Sequence, residues 1–161
     1  MDSRSTLGEL TSSATVRFDL DGTGSDREWS WVRPGTAFLV WDPSHEGQIR
    51  SGAQLFGSVS FRKKWSDGYA ALASLDRNGD GRLDGAELEP LAAWFDRNAN
   101  ARSEPGEVVR LDALGIVSIS VEPTTQDGDA LMNPLGLQLR DGRSLPTYDW
   151  ISRTGARLAA R

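Results

Sequence analysis

Between residues 76 and 87 the chain reads Asp76-Arg-Asn-Gly-Asp-Gly-Arg-Leu-Asp-Gly-Ala-Glu, which sets oxygen side chains at positions 1, 3, 5, 9 and 12: Asp76, Asn78, Asp80, Asp84 and Glu87. Gly81 stands at position 6, where the backbone has to turn sharply, and Arg82 offers its carbonyl at position 7. This is the donor pattern of a twelve-residue calcium loop. Ca²⁺ is a hard cation that takes six to eight oxygens at about 2.3–2.6 Å, and alternate residues of a curled loop can point inward together while a closing glutamate supplies two oxygens. The simpler reading is a polar turn, since Asn, Asp and Gly are the usual turn formers. A turn accounts for the glycines and for one or two acids. It does not account for oxygen donors at all five ligand positions with an apolar residue, Leu83, at the eighth.

A second segment, 96–107, repeats the spacing with Asp96, Asn98, Asn100, Glu104 and Glu107 at the same positions and the Arg102 carbonyl at position 7. Ala101 replaces the glycine, so the Cβ meets positive φ at a cost of about 1–2 kcal/mol if the same geometry holds. Three of its ligand positions carry carboxylates against four in the first loop, and Ser103 replaces the apolar residue at position 8. Weaker calcium binding is expected here; the alternative is a relic that keeps the loop shape without metal. A third segment, 42–53, has Asp42, Ser44, Glu46, Gly47 and Ile49 in register but Ala53 at the closing position, and is expected to have lost its ion and kept its shape. The acidic turn with Asp19, Asp21 and Asp26 could hold an ion, but a hairpin connection explains it as well, and that reading is preferred.

The first two loops begin twenty residues apart, so 84–95 has to leave one and enter the other. A single shared helix does this, with Asp84 and Glu87 as a capping box and Leu88, Leu91 and Phe95 as its apolar stripe. Pro90 should kink it or delay its regular part. Asp67 can cap a short helix over 68–75 that leads into the first loop. Strands are expected over 15–18, 28–32, 37–41 and 116–121, and a hairpin over 135–151 turning on Asp141-Gly142. Residues 106–111 are expected to form one or two helical turns.

The whole is expected to be one α+β domain over 15–153, between a lead over 1–14 and a tail over 154–161. A small, mostly antiparallel sheet with hairpins would carry the inserted pair of calcium loops sharing one helix. The chain of 161 residues is long enough for a real core, and no apolar run reaches the length of a membrane span. Residues 1–14 lack the apolar stretch of a signal peptide. The net charge of −5 comes with one basic run, Arg62-Lys63-Lys64, which argues against nucleic acid as a partner. The lack of cysteine removes thiol catalysis, disulfides and thiolate metal sites, and one histidine, His45, does not make a histidine-based centre. There is no G-x-S-x-G and no phosphate loop, so no catalytic activity is expected.

With these residues in view, the chain resembles the EF-hand calcium-binding modules of large bacterial surface and secreted proteins, including those that accompany RTX-type repeats. The resemblance spans 15–151. It is carried by Phe18-Asp-Leu-Asp-Gly, by Ala37-Phe-Leu-Val-Trp-Asp with Leu55-Phe-Gly, and by the run from Gly68 through Asp76-Arg-Asn-Gly-Asp-Gly. It continues with Trp94-Phe-Asp-Arg-Asn-Ala-Asn, Pro105-Gly-Glu, Leu114-Gly-Ile-Val-Ser-Ile and Tyr148-Asp-Trp. The resemblance implies an extracellular or cell-surface, calcium-dependent structural or protein-interaction module without catalysis of its own. The alternative is a calcium sensor that exposes a target-binding surface. Sensors use methionine-rich surfaces, and the two methionines here, Met1 and Met132, both lie outside the loops.

Overall fold

A computed structural model describes residues 10–150. Among the described residues ten β-strands form three antiparallel sheets. Strands β1 (Thr11–Phe18) and β2 (Arg27–Val32) make a hairpin. Strands β3 (Phe38–Trp41), β5 (Leu91–Trp94) and β6 (Val108–Arg110) form a second sheet with β5 in the middle. The third sheet runs β10 (Ser144–Asp149), β9 (Ala130–Leu139), β7 (Ile116–Ser120), β4 (Arg82–Asp84), and β8 (Thr125–Asp127) also pairs with β9. Helix α1 (Gly68–Ala73) is capped as expected by Asp67, whose Oδ1 accepts from the Ala70 amide at 2.8 Å. No helix among the described residues is long and apolar enough to cross a membrane.

The expectation of an α+β domain with one helix shared by two calcium loops is overturned: the architecture is mostly β, and the shared helix does not form. Gly85–Leu88 makes a single 3-10 turn, and β5 takes the place of the helix. Pro90 lacks the amide that an α-helix would use, and its carbonyl instead accepts from Asp42 N at 2.7 Å. Strand β5 is buried along its whole length because it separates two cores. Ala92 and Trp94 face a cluster with Phe18, Trp31, Val40 and Ile49, whereas Leu91 and Ala93 face one with Leu72, Leu83, Ile116 and Ile119. A strand covered on both faces reads as a short apolar run without alternation, which periodicity does not separate from a helix. The helical turns expected over 106–111 are likewise absent; β6 lies there, paired to β5, with a 3-10 turn at Asp112–Leu114 after it.

Strands β1, β2, β3, β7, β9 and β10 lie close to the expected positions, whereas β4 and β8 have no counterpart among the strands expected from the sequence. The first begins at Thr11, inside the stretch read as a lead, and Asp141-Gly142 joins β9 to β10 with Gly142 at φ 89°. Residues 1–9, the start of the expected lead, and 151–161, which include the expected tail and the end of the expected hairpin, lie outside the described residues.

Candidate functional site: four loops of one conformation

Four segments open on an aspartate whose Oδ2 accepts the backbone amide five residues on: Asp19 from Gly24 at 3.1 Å, Asp42 from Gly47 at 2.9 Å, Asp76 from Gly81 at 2.9 Å and Asp96 from Ala101 at 2.7 Å. In each, the fourth and sixth residues have positive φ: 68° and 87° at Gly22 and Gly24, and 56° and 67° at His45 and Gly47. The corresponding values are 70° and 83° at Gly79 and Gly81, and 54° and 56° at Ala99 and Ala101. One local conformation therefore recurs four times in a chain with irregular loop spacing. Only glycine adopts it without strain, and three of the eight positions are not glycine.

The loops at 76 and 96 also share their closing half. Glu87 Oε1 accepts from Arg77 N at 2.7 Å and Oε2 from Asp84 N at 3.3 Å; Glu107 Oε1 accepts from Arg97 N at 3.1 Å and Oε2 from Glu104 N at 3.1 Å. In both loops the fifth residue, Asp80 or Asn100, accepts from the amide of Arg82 or Arg102 at 2.9 Å. Asn78 Oδ1 accepts from Asp80 N at 3.1 Å. In the second loop the corresponding Asn98 donates to Glu104 instead, as Asn100 does at 2.8 Å. The twelve expected ligand residues are thus gathered into two separate loops, six in each. Their oxygens are mostly occupied by loop amides, and among the described residues no three Asp, Glu or His side chains assemble as a metal-binding group.

The loops are anchored differently. At the eighth position of the first, Leu83 is fully buried and pairs with Ile119 across β4 and β7. At the eighth position of the second, Ser103 Oγ accepts from Ile49 N at 2.8 Å, and Ile49 is the eighth residue of the loop at 42. Loops 42 and 96 therefore face one another at matching positions. Asp96 is 1% exposed, and its Oδ2 also accepts from the Trp31 indole at 2.7 Å. The Ala101 methyl is buried in the same aromatic core, which offsets part of its backbone strain. Neither Trp31 nor the Ile49–Ser103 link was foreseeable from ligand spacing; the serine at an apolar position was the one visible sign.

In the loop at 19, Asp19 Oδ1 is buried without a partner. The Asp21 carboxyl beside it is partly desolvated, yet contacts from Thr23 and Arg27 hold it below the usual carboxylate range. This loop joins β1 to β2, the hairpin role preferred for it. Among the described residues no Lys or Arg makes an ion pair with an acid of the loops at 76 and 96, whereas Arg27 pairs with Asp21, Arg110 with Asp112 and Arg143 with Asp141.

A family model described as the SPM domain matches residues 5–149. The chain belongs to the SPM domain family. This corrects the resemblance drawn from the loops, because the matching family is the SPM domain and not an EF-hand one. The physical reason is visible in the flanks: an EF-hand sets its loop between two helices, whereas 96–107 lies between β5 and β6, and 76–87 has a helix on its N-terminal side only. Over 116 residues this SPM chain is 37% identical to the iron-regulated protein FrpA of Neisseria meningitidis serogroup C, an alignment that takes in 67% of the chain and 10% of FrpA. The SPM chain thus corresponds to about a tenth of that relative.

Proposed function

We propose that this SPM domain binds calcium through residues 76–87, more weakly through 96–107, and that the ion stabilises the fold as a structural or protein-interaction module of a longer, exported polypeptide. The observation that carries the reading is the density of hard oxygen donors: Asp76, Asp80, Asp84 and Glu87 lie within twelve residues, and although Arg77 and Arg82 share the loop, no Lys or Arg among the described residues forms an ion pair with them. Four such carboxylates repel one another in the folded loop, and a divalent cation relieves that repulsion. Carboxylate, amide and carbonyl oxygens suit Ca²⁺ rather than a softer metal.

Asp76, Asn78, Asp80, Asp84 and Glu87 would hold the ion with the Arg82 carbonyl, and Asp96, Asn98, Asn100, Glu104 and Glu107 with the Arg102 carbonyl would hold the second. The sharp turn that the ligand pattern requires is set by Gly79 and Gly81, at φ 70° and 83°, and Glu87 would exchange its amide partners for the cation. Binding confined to the folded state adds about 2.7 kcal/mol at a hundredfold excess over Kd. Extracellular calcium saturates even weak sites, and cytosolic calcium does not, which suits a surface or secreted setting. No catalytic role is proposed.

The test is a calcium titration of the chelator-treated protein, followed by tryptophan fluorescence and thermal melting. The expected result is two phases, the tighter one accompanied by a rise in Tm. Melting and spectra that are identical in calcium and in chelator would overturn the reading.

A further inference from the structure

The two apolar clusters are not closed against each other everywhere. A cavity of about 760 Å³ opens between the three sheets, walled by apolar residues that include Trp29, Phe38, Leu72 and Trp150. Its polar groups converge at one corner, where α1 begins beside the end of β10. There Asp149 Oδ2 accepts from Gly68 N at 3.0 Å, Asp67 caps the helix, and the Tyr69 hydroxyl lies 2.9 Å from the Thr147 carbonyl. A cavity of this size with an apolar wall and a few convergent polar groups is the usual form of a small-molecule site.

We propose that this cavity binds a small amphipathic cation, its apolar chain or ring against the aromatic wall and its ammonium at Asp149 and Asp67. Charge selects this occupant. Asp67 and Asp149 are two like charges at the corner of an apolar space, and among the described residues neither forms an ion pair. Among the described residues on the cavity wall the one arginine is Arg143, held 2.7 Å from Asp141. Burial and the neighbouring Asp67 both push the Asp149 carboxyl above its usual range, against the pull of the Gly68 amide, so an added cation at that corner is favoured. An anionic amphiphile meets repulsion in the same place, and a neutral one leaves both carboxylates as they were. Gly68 keeps the corner open: a Cβ there would stand 2.6 Å from the Phe56 carbonyl and 2.9 Å from Asp149 Oδ1.

The test uses the full chain with n-decylammonium, decanol and decyl sulfate, all below their aggregation limits. It is read by tryptophan emission, since Trp29 and Trp150 line the cavity, and by the amide resonance of Gly68. The expected result is saturable one-to-one binding of decylammonium at least about tenfold tighter than either analogue, the size of one charge-assisted contact, with the Gly68 resonance shifted. Asp149→Asn should weaken decylammonium about tenfold and leave decanol unchanged. Asp67→Ser retains a capping oxygen while removing the charge, and gives the same reading should Asp149→Asn not fold. Equal binding of the three probes, absence of saturation, or unchanged affinity in the folded variants would each overturn the proposal.

Discussion

The indole of Trp31 donates to Asp96 Oδ2 across 2.7 Å, joining two residues 65 positions apart. Trp31, on β2, is fully buried among Phe18, Phe38 and Trp94, with ring centroids 4.9–5.9 Å away. Asp96 opens the second loop. The N-terminal hairpin and that loop are therefore one packing unit, and the first residue of the loop is oriented from inside the core.

Trp31→Phe keeps an aromatic ring and deletes the donor. Asp96 Oδ2 retains the Ala101 amide, so the cost should lie near the middle of the range for a buried acceptor, about 2 kcal/mol. The denaturant midpoint should fall with the m-value unchanged. The weaker calcium phase should weaken further while the tighter one stays; an unchanged midpoint would detach Trp31 from the loop.

Glu87 and Glu107 close their loops through the same pair of amide contacts, and their substitutions separate the two expected ions. Glu87→Gln should abolish the tight phase, and Glu107→Gln should remove the weaker one. Terbium luminescence sensitised by Trp94, two residues before Asp96, reports the second loop selectively. If both variants titrate like the parent, these loops are not the sites.

Gly52 donates to the Asp19 carbonyl at 2.8 Å, and the Leu20 carbonyl lies 1.7 Å from where a Cβ would be. Gly52→Ala must push the loop at 19 away from the turn at Gly52–Gln54. A loss of about 3 kcal/mol or more is expected in chemical denaturation. Gly57→Ala, where no heavy atom lies within 4 Å of the added Cβ, should change stability far less.

Asp149 gives a pH dependence with a definite sign. Burial first, and Asp67 second, raise its pKa in the folded protein, so the folded state holds this proton more tightly than the unfolded one. Its contribution to stability is greatest below the ordinary carboxylate range and is lost as pH rises through the raised value. The groups facing it are Asp67 and Tyr69, whose hydroxyl, pushed up to about 12 mainly by burial, stays protonated across this range. Asp149→Asn should therefore gain on the parent in urea melts as pH increases from the carboxylate range towards neutral. A constant difference between the two proteins would remove Asp149 as the source.

Local chemistry was legible in the sequence where it is set by near neighbours. The Asp67 cap, the Asp141-Gly142 turn and the positive φ at Ala101 follow from residues within a few positions of one another. The strand at Leu91–Trp94 was not legible, because its state depends on what covers it. Leu91-Ala-Ala-Trp is compatible with a helix until β3 and β6 pair with its two edges and a core closes on each face. The loop at 42 was seen to have lost its closing carboxylate, but that it sits against the loop at 96 through Ile49 and Ser103 is a contact over 54 residues, which no local pattern carries.

By itself the sequence determined the loops: their oxygens, their glycines and their registers are properties of twelve residues at a time. Tertiary structure alone decided that strands rather than helices carry them, because pairing and two-sided burial are paid for by distant residues. It also decided that Trp31 reaches Asp96, and that two like charges, Asp67 and Asp149, come to share the corner of an apolar cavity.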